Sequence, residues 1–102
     1  MGMKPDELKK YKAKIKPIAK RMGVKYLAVF GSFARGEAKK KSDVDILVDF
    51  EKQVTFDGYF DLEFALEDVF ERKVDLITRE GLSKYVKPLI QKDLRVMYGV
   101  SR

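Results

Sequence analysis

Cysteine and histidine are both absent from the 102 residues. Without cysteine there can be no disulfide scaffold, thiolate zinc site or thiol nucleophile. Without histidine, imidazole-based triads and histidine-bound metals are excluded as well. Catalysis is left to carboxylates, Lys, Ser, Thr and Tyr. The only metals such donors suit are hard, oxygen-seeking ones such as magnesium, manganese or calcium. Proline is also scarce, with three residues, and no apolar run approaches the roughly 20 residues of a membrane span. The lysine-rich start lacks the apolar stretch of a signal peptide, so a cytoplasmic protein is expected.

What is present is the makeup of one small folded unit. The apolar share is 45%, with seven Phe and five Tyr, and the charged share of 37% is mixed through it rather than blocked. A single domain over 1–102 with one core is therefore expected. The net charge of +6 is uneven: residues 1–22 hold eight Lys/Arg against Asp6 and Glu7, while residues 23–102 hold fourteen of each sign. The basic excess in the first segment reads as a solvated helix face or as an attraction for nucleic acid, nucleotide or an acidic partner.

Pro5, Asp6 and Glu7 mark a helix start, and Leu8, Tyr11, Ile15, Ile18 and Met22 recur at spacings of three and four. Pro17 predicts a kink or break in this helix, and Gly23 its end. Val24 to Phe30 reads as a largely buried strand that Gly31 terminates. One short helical turn and an exposed loop follow from Ser32 to Ser42, including Lys39, Lys40 and Lys41. Asp43 to Phe50 alternates, with Asp43, Asp45, Leu47 and Asp49 on one side and Val44, Ile46, Val48 and Phe50 on the other. From a capping Thr55, apolar residues run so densely to Phe70 that a broadly buried helix is predicted, ending near Arg72. Lys73 to Thr78 is another strand, with Asp75 opposite Val74 and Leu76. Leu82 to Gln91 reads as a weaker helix, and Arg95 to Val100 as a last short strand or an irregular tail. This order implies an α/β (α+β) domain, a small β-sheet flanked by helices.

The carboxylates carry the chemical signal. Asp43 and Asp45 lie about 7 Å apart along one strand face, and Asp75 joins them if its strand is the neighbour. Three like charges on one face raise each other's pKa unless a cation intervenes. A pair of divalent ions held by such carboxylates polarises the attacking and leaving oxygens of a phosphoryl displacement. Gly31-Ser32, where a strand gives way to a helical turn, offers backbone amides and a hydroxyl to phosphate oxygens.

Gly31-Ser32, ten intervening residues and then Asp43-Val44-Asp45 resembles the signature of the DNA polymerase β-like nucleotidyltransferase superfamily. The longer stretches Val29 to Glu37 and Ser42 to Val48, with Val74-Asp75-Leu76-Ile77 as a third acidic strand, resemble the minimal nucleotidyltransferase (MNT) family. The resemblance implies the polymerase β-like fold with a small mixed sheet. It also implies two magnesium ions on Asp43, Asp45 and Asp75, with Asp75 on the ion that activates the acceptor hydroxyl. Gly31 and Ser32 would then contact the β- and γ-phosphates of ATP. Arg35 would pair with phosphate or with Glu37.

By the same resemblance the partner is a HEPN-domain ribonuclease toxin. The chain would be its antitoxin, attaching AMP to a toxin tyrosine and able to form an assembly with it. A non-catalytic antitoxin acting by complex formation is one alternative. Another is a nucleic-acid-binding module on the basic first helix, disfavoured because only Tyr11 is interleaved among the lysines for stacking. An exposed sheet edge, or the segment around Tyr85, Met97, Tyr98 and Val100, would offer the partner apolar contact, although such side chains more often belong to a core.

Overall fold

The computed structural model describes residues 4–37, 43–78 and 94–99. Its elements run α1 (Pro5–Arg21), β1 (Val24–Phe30), α2 (Gly31–Ala34), β2 (Val44–Phe50), α3 (Phe56–Phe70), β3 (Val74–Thr78) and β4 (Arg95–Gly99). The predicted helix over Leu82 to Gln91 and the lysines of the 38–42 loop lie outside the described residues.

Helix α1 begins at Pro5, whose missing amide is no loss in a first turn, and carries Asp6 and Glu7 at the end where the helix dipole favours anions. The helix continues through Pro17 without the predicted break. Both Pro17 and Ala13, whose carbonyl loses its amide partner, are exposed, so water can serve that carbonyl. The helix closes with Met22 donating its amide to the Ile18 carbonyl, and Gly23 turns the chain at φ +69°. In α3, Thr55 caps the start as expected, its hydroxyl accepting from the Gly58 amide at 3.1 Å.

Among the described residues, four strands form one mixed sheet in the order β3-β2-β1-β4. β1 pairs antiparallel with both β2 and β4, while β2 and β3 are parallel. A parallel pair needs a crossover, and α3 supplies it. The predicted last strand is therefore real, and tertiary pairing with β1 is what settles it against an irregular tail.

Helices α1 and α3 cover one face of the sheet. Ile15 and Ala19 from α1 and Leu62, Leu66 and Phe70 from α3 meet Leu27, Val29, Ile46, Val48, Val74, Leu76 and Met97 in one buried cluster. On the opposite face a smaller cluster joins Tyr26, Ala28, Phe30 and Leu47. One expectation changes here. Helix α3 is not broadly buried: Leu62, Leu66 and Phe70 face the core, whereas Phe56, Phe60 and Phe64 are exposed. A helix resting on a sheet buries one stripe, and the remaining aromatics stay outside it. Met97 is buried and Tyr98 is half-buried against the core, in keeping with the core reading of these side chains. Tyr85 and Val100 lie outside the described residues.

Candidate active site

The site assembles where three strand ends meet. The antiparallel register sets Phe30, the last residue of β1, opposite Asp45 of β2. The parallel register then sets Asp45 beside Asp75 of β3. Alternation turns both carboxylates away from the helices, because Val44, Ile46, Val74 and Leu76 point into the core beneath α1 and α3. Asp45 is half-buried, and Asp43 and Asp75 are exposed. The carboxylate-lined face is shorter than the alternation suggested: Leu47, two residues on, is buried in the second apolar cluster. Asp49 stands beyond it at the other end of β2, beside a hollow lined by Phe50, Glu51 and Thr78 and remote from Asp45.

Burial pushes the Asp45 carboxyl above its ordinary pKa, and the negative charges of Asp75 and then Asp43 push it further. Arg35 pulls in the opposite direction. Both other predicted acids therefore act on Asp45 through space, as a shared site requires. Among the described residues, however, no three acidic side chains are drawn together into a group that could hold a metal ion. Their hard oxygen donors and the negative charge that Asp75 and Asp43 bring to Asp45 suit a divalent ion such as magnesium.

Gly31 is required where it stands. Its φ of +75° is in the left-handed region, and a Cβ there would run into the Asp45 carboxylate oxygen Oδ2. The glycine turn thus touches the central acid directly. Phe33, two residues on, is locked into the core: its ring meets Tyr11 at 5.8 Å and Phe70 at 5.4 Å between centroids, with the Arg72 guanidinium 5.4 Å away. That aromatic group ties α1, α2 and α3 together and holds the Gly31-Ser32 turn against the sheet. Arg35 donates from Nε to Glu37 at 3.1 Å while its charge reaches Asp45, so the structural pairing and a role at the site coexist.

Two residues escaped the sequence reading. Glu67 of α3 accepts the Val74 amide at 3.1 Å, and the Tyr59 hydroxyl donates to the Leu76 carbonyl. These bonds hold the two residues on either side of Asp75 from the outer edge of β3. Burial, then Glu63 and then Asp75, raises the Tyr59 pKa, which keeps its hydroxyl protonated as a donor. Their i, i+8 spacing on one helix was the available signal, but only the partner strand gives it meaning.

Residues 12–97 match the family model of the nucleotidyltransferase domain. The chain belongs to the nucleotidyltransferase family. Among its relatives, MJ0126 of Methanocaldococcus jannaschii, provisionally named a protein adenylyltransferase, is 42% identical over 88 residues, covering 85% of this chain and 87% of that protein. Protein adenylyltransferase MntA of Thermococcus cleftensis is 39% identical over 79 residues, or 78% and 80% of the two chains. A solved structure provisionally described as a minimal nucleotidyltransferase superposes with a TM-score of 0.75 at 31% identity, covering 91% of this chain and 95% of that one. The MNT antitoxin complexed with a tri-AMPylated Shewanella oneidensis HEPN toxin shares the fold, with a TM-score of 0.67 at 18% identity and coverage of 91% and 73%. The nucleotidyltransferase is therefore an enzyme of the MNT type with the mixed-sheet α+β fold expected for it. Within its described residues, no helix is long and apolar enough to cross a membrane.

Proposed function

We propose that this nucleotidyltransferase moves AMP from ATP, with magnesium, to a hydroxyl of a HEPN-domain ribonuclease partner, and so acts as its antitoxin. The observation that carries the reading is the in-register pairing of Asp45 with Asp75, with the Gly31 turn against Asp45. The names of the 42% and 39% identical relatives support AMP as the group transferred. A tyrosine acceptor is the finer part of the proposal.

Asp43, Asp45 and Asp75 would hold the metal, as a pair of ions. Bound magnesium would offset charge on the phosphoryl oxygens and lower the pKa of a bound hydroxyl. The Gly31-Ser32 turn would hold the β- and γ-phosphates through its backbone amides and the Ser32 hydroxyl, and the Arg35 charge would lie beside them. The acceptor oxygen bonds to the α-phosphorus as the bond from that phosphorus to the β-bridging oxygen breaks. Pyrophosphate leaves with that electron pair, and Asp75 takes the acceptor's proton. Asp75 suits this task because it is exposed and its strand is pinned on either side.

The test uses the purified chain, labelled ATP, magnesium and the HEPN protein. Label should appear on the HEPN protein and vanish with Asp43→Ala; no label, or label undiminished in the variant, rejects catalysis. If an Asp43→Ala/Asp45→Ala variant still protects cells, neutralisation works by complex formation instead. The nucleic-acid reading loses support because Tyr11 packs on Phe70 at 4.7 Å as well as on Phe33, leaving the α1 lysines without a free stacking surface.

A further inference from the structure

The helix layer carries two unlike outer faces. On α3, Phe56 is 84% exposed, Phe60 46% and Phe64 62%. Spaced four apart, they form one continuous stripe, separate from the buried Leu62, Leu66 and Phe70. At the ~200 Å² a Phe side chain carries, the stripe presents about 400 Å² of aromatic surface. Single exposed apolar residues are ordinary, but three on successive turns make a patch. The helix holds five acidic residues and no basic one. Of these, Asp57, Asp61 and Asp68 are exposed and stand three or four residues from Phe60 or Phe64.

Helix α1 is the complement. It holds seven basic residues against Asp6 and Glu7. Ala13 and Pro17, four apart and both exposed, give it a flat apolar seam. Lys9, Lys10, Lys16, Lys20 and Arg21 are exposed, and each stands three or four residues from one of the two. The seam is thus rimmed by cations, and their methylene stems widen it.

Both helices lie on the same face of the sheet and touch, with the Tyr11 and Phe70 ring centroids 4.7 Å apart. A two-fold axis running along that layer lays the α1 of each copy over the α3 of the other, and such a contact closes. One Phe stripe covered by an equal area of α1 buries about 800 Å², too little alone for a stable complex. The two-fold repeats that contact and brings the total to about 1,600 Å², the size of a standard interface.

We infer that the chain pairs with a second copy of itself through the helix layer, the α3 Phe stripe of each seated on the basic α1 of the other. The charges choose this arrangement. Setting α3 on α3 opposes acid to acid, and α1 on α1 opposes base to base. The acidic border of the stripe also turns away nucleic acid and anionic membrane. Asp45 and Asp75 point away from the helices, so both sites of the pair stay open, and the inference stands whether or not the proposed transfer occurs. Below the Kd of the pair the chain is single, and there the stripe contributes little to folding stability.

The experiment is sedimentation velocity of the full chain over a concentration series at low and high salt, with circular dichroism to confirm that each variant folds. The wild type should form a dimer that salt weakens. Phe60→Ser/Phe64→Ser should weaken it at least about tenfold. Asp57→Lys/Asp61→Lys and Lys9→Glu/Lys16→Glu should each self-associate poorly, and an equimolar mixture of the two should pair more tightly than either alone, because exchanged charges meet again. A wild-type chain that stays single at every concentration, its stripe free for some other protein, overturns the inference. So does a Phe variant that pairs as the wild type does, or a mixture no tighter than its components. Undiminished pairing of Lys9→Glu/Lys16→Glu also overturns it, since α1 would then lie outside the contact.

Discussion

Replacing Gly31 by Ala separates a backbone cost from a chemical one. A non-glycine residue at φ +75° costs about 1–2 kcal/mol in the left-handed region. In a domain of this size that lowers Tm by about 4–8 °C per kcal/mol. Gly23 is the natural control, because it sits at φ +69° with nothing within 4 Å of where a Cβ would stand. Gly23→Ala should therefore show the backbone cost alone. At Gly31 the added methyl also meets Oδ2 of Asp45, the free end of a side chain that can rotate away. Gly31→Ala should lose only slightly more stability than Gly23→Ala, but its carboxylate is displaced, and an error of about 1 Å at a reacting group can cost about 100-fold in rate. Thermal melts by circular dichroism and single-turnover AMP transfer measure the two effects. In an Asp45→Ala background the clash disappears, and Gly31→Ala should then cost the same as Gly23→Ala. Wild-type transfer by Gly31→Ala, or equal losses of transfer in the two Gly variants, would refute the argument.

Because Asp45 has a folded-state pKa raised above its ordinary 3.8, the folded protein holds that proton longer than the unfolded chain. The resulting penalty is absent at pH below 3.8, grows as pH rises through the folded pKa, and is complete above it. Asp45→Asn should accordingly raise Tm at neutral pH and lose that advantage in acid, and magnesium should raise Tm of the wild type more than that of the variant. Leu66→Ala, fully buried, should cost about 2–5 kcal/mol in denaturant unfolding, whereas Phe64→Ala on the same helix should stay within about 0.5 kcal/mol. Equal losses would contradict the single buried stripe of α3. Tyr59→Phe removes the donor to the Leu76 carbonyl and should cost about 1 kcal/mol, with faster amide hydrogen exchange in β3 and a lower transfer rate; exchange unchanged throughout β3 would show that the bond does not hold the strand.

Elements whose residues interact locally could be read before folding. Thr55 as a cap, Gly23 as a stop and the strand from Val24 to Phe30 depend on neighbours within a few positions, and each lies where it was expected. The Gly31-Ser32 and Asp43-Val44-Asp45 spacing was legible for the same reason, since its chemistry is written in residue types at short range. The break that Pro17 allowed for is absent because the carbonyl it orphans is open to water, which is a property of the folded surface. The dense apolar run of α3 misled because helical density says how much could be buried, while a single sheet face limits how much is.

The sequence by itself determined the residue types and the alternation: hard oxygen donors without imidazole or thiolate, and Asp45 and Asp75 on the side of their strands opposite Val44, Ile46, Val74 and Leu76. Only the tertiary structure decided that β3 lies parallel beside β2 with Asp75 level with Asp45, that Gly31 abuts that carboxylate, and that three phenylalanines remain outside. The physical reason is that strand partners and register come from contacts between residues tens of positions apart. One sheet face and the helices laid on it settle those contacts together, and no local window contains them.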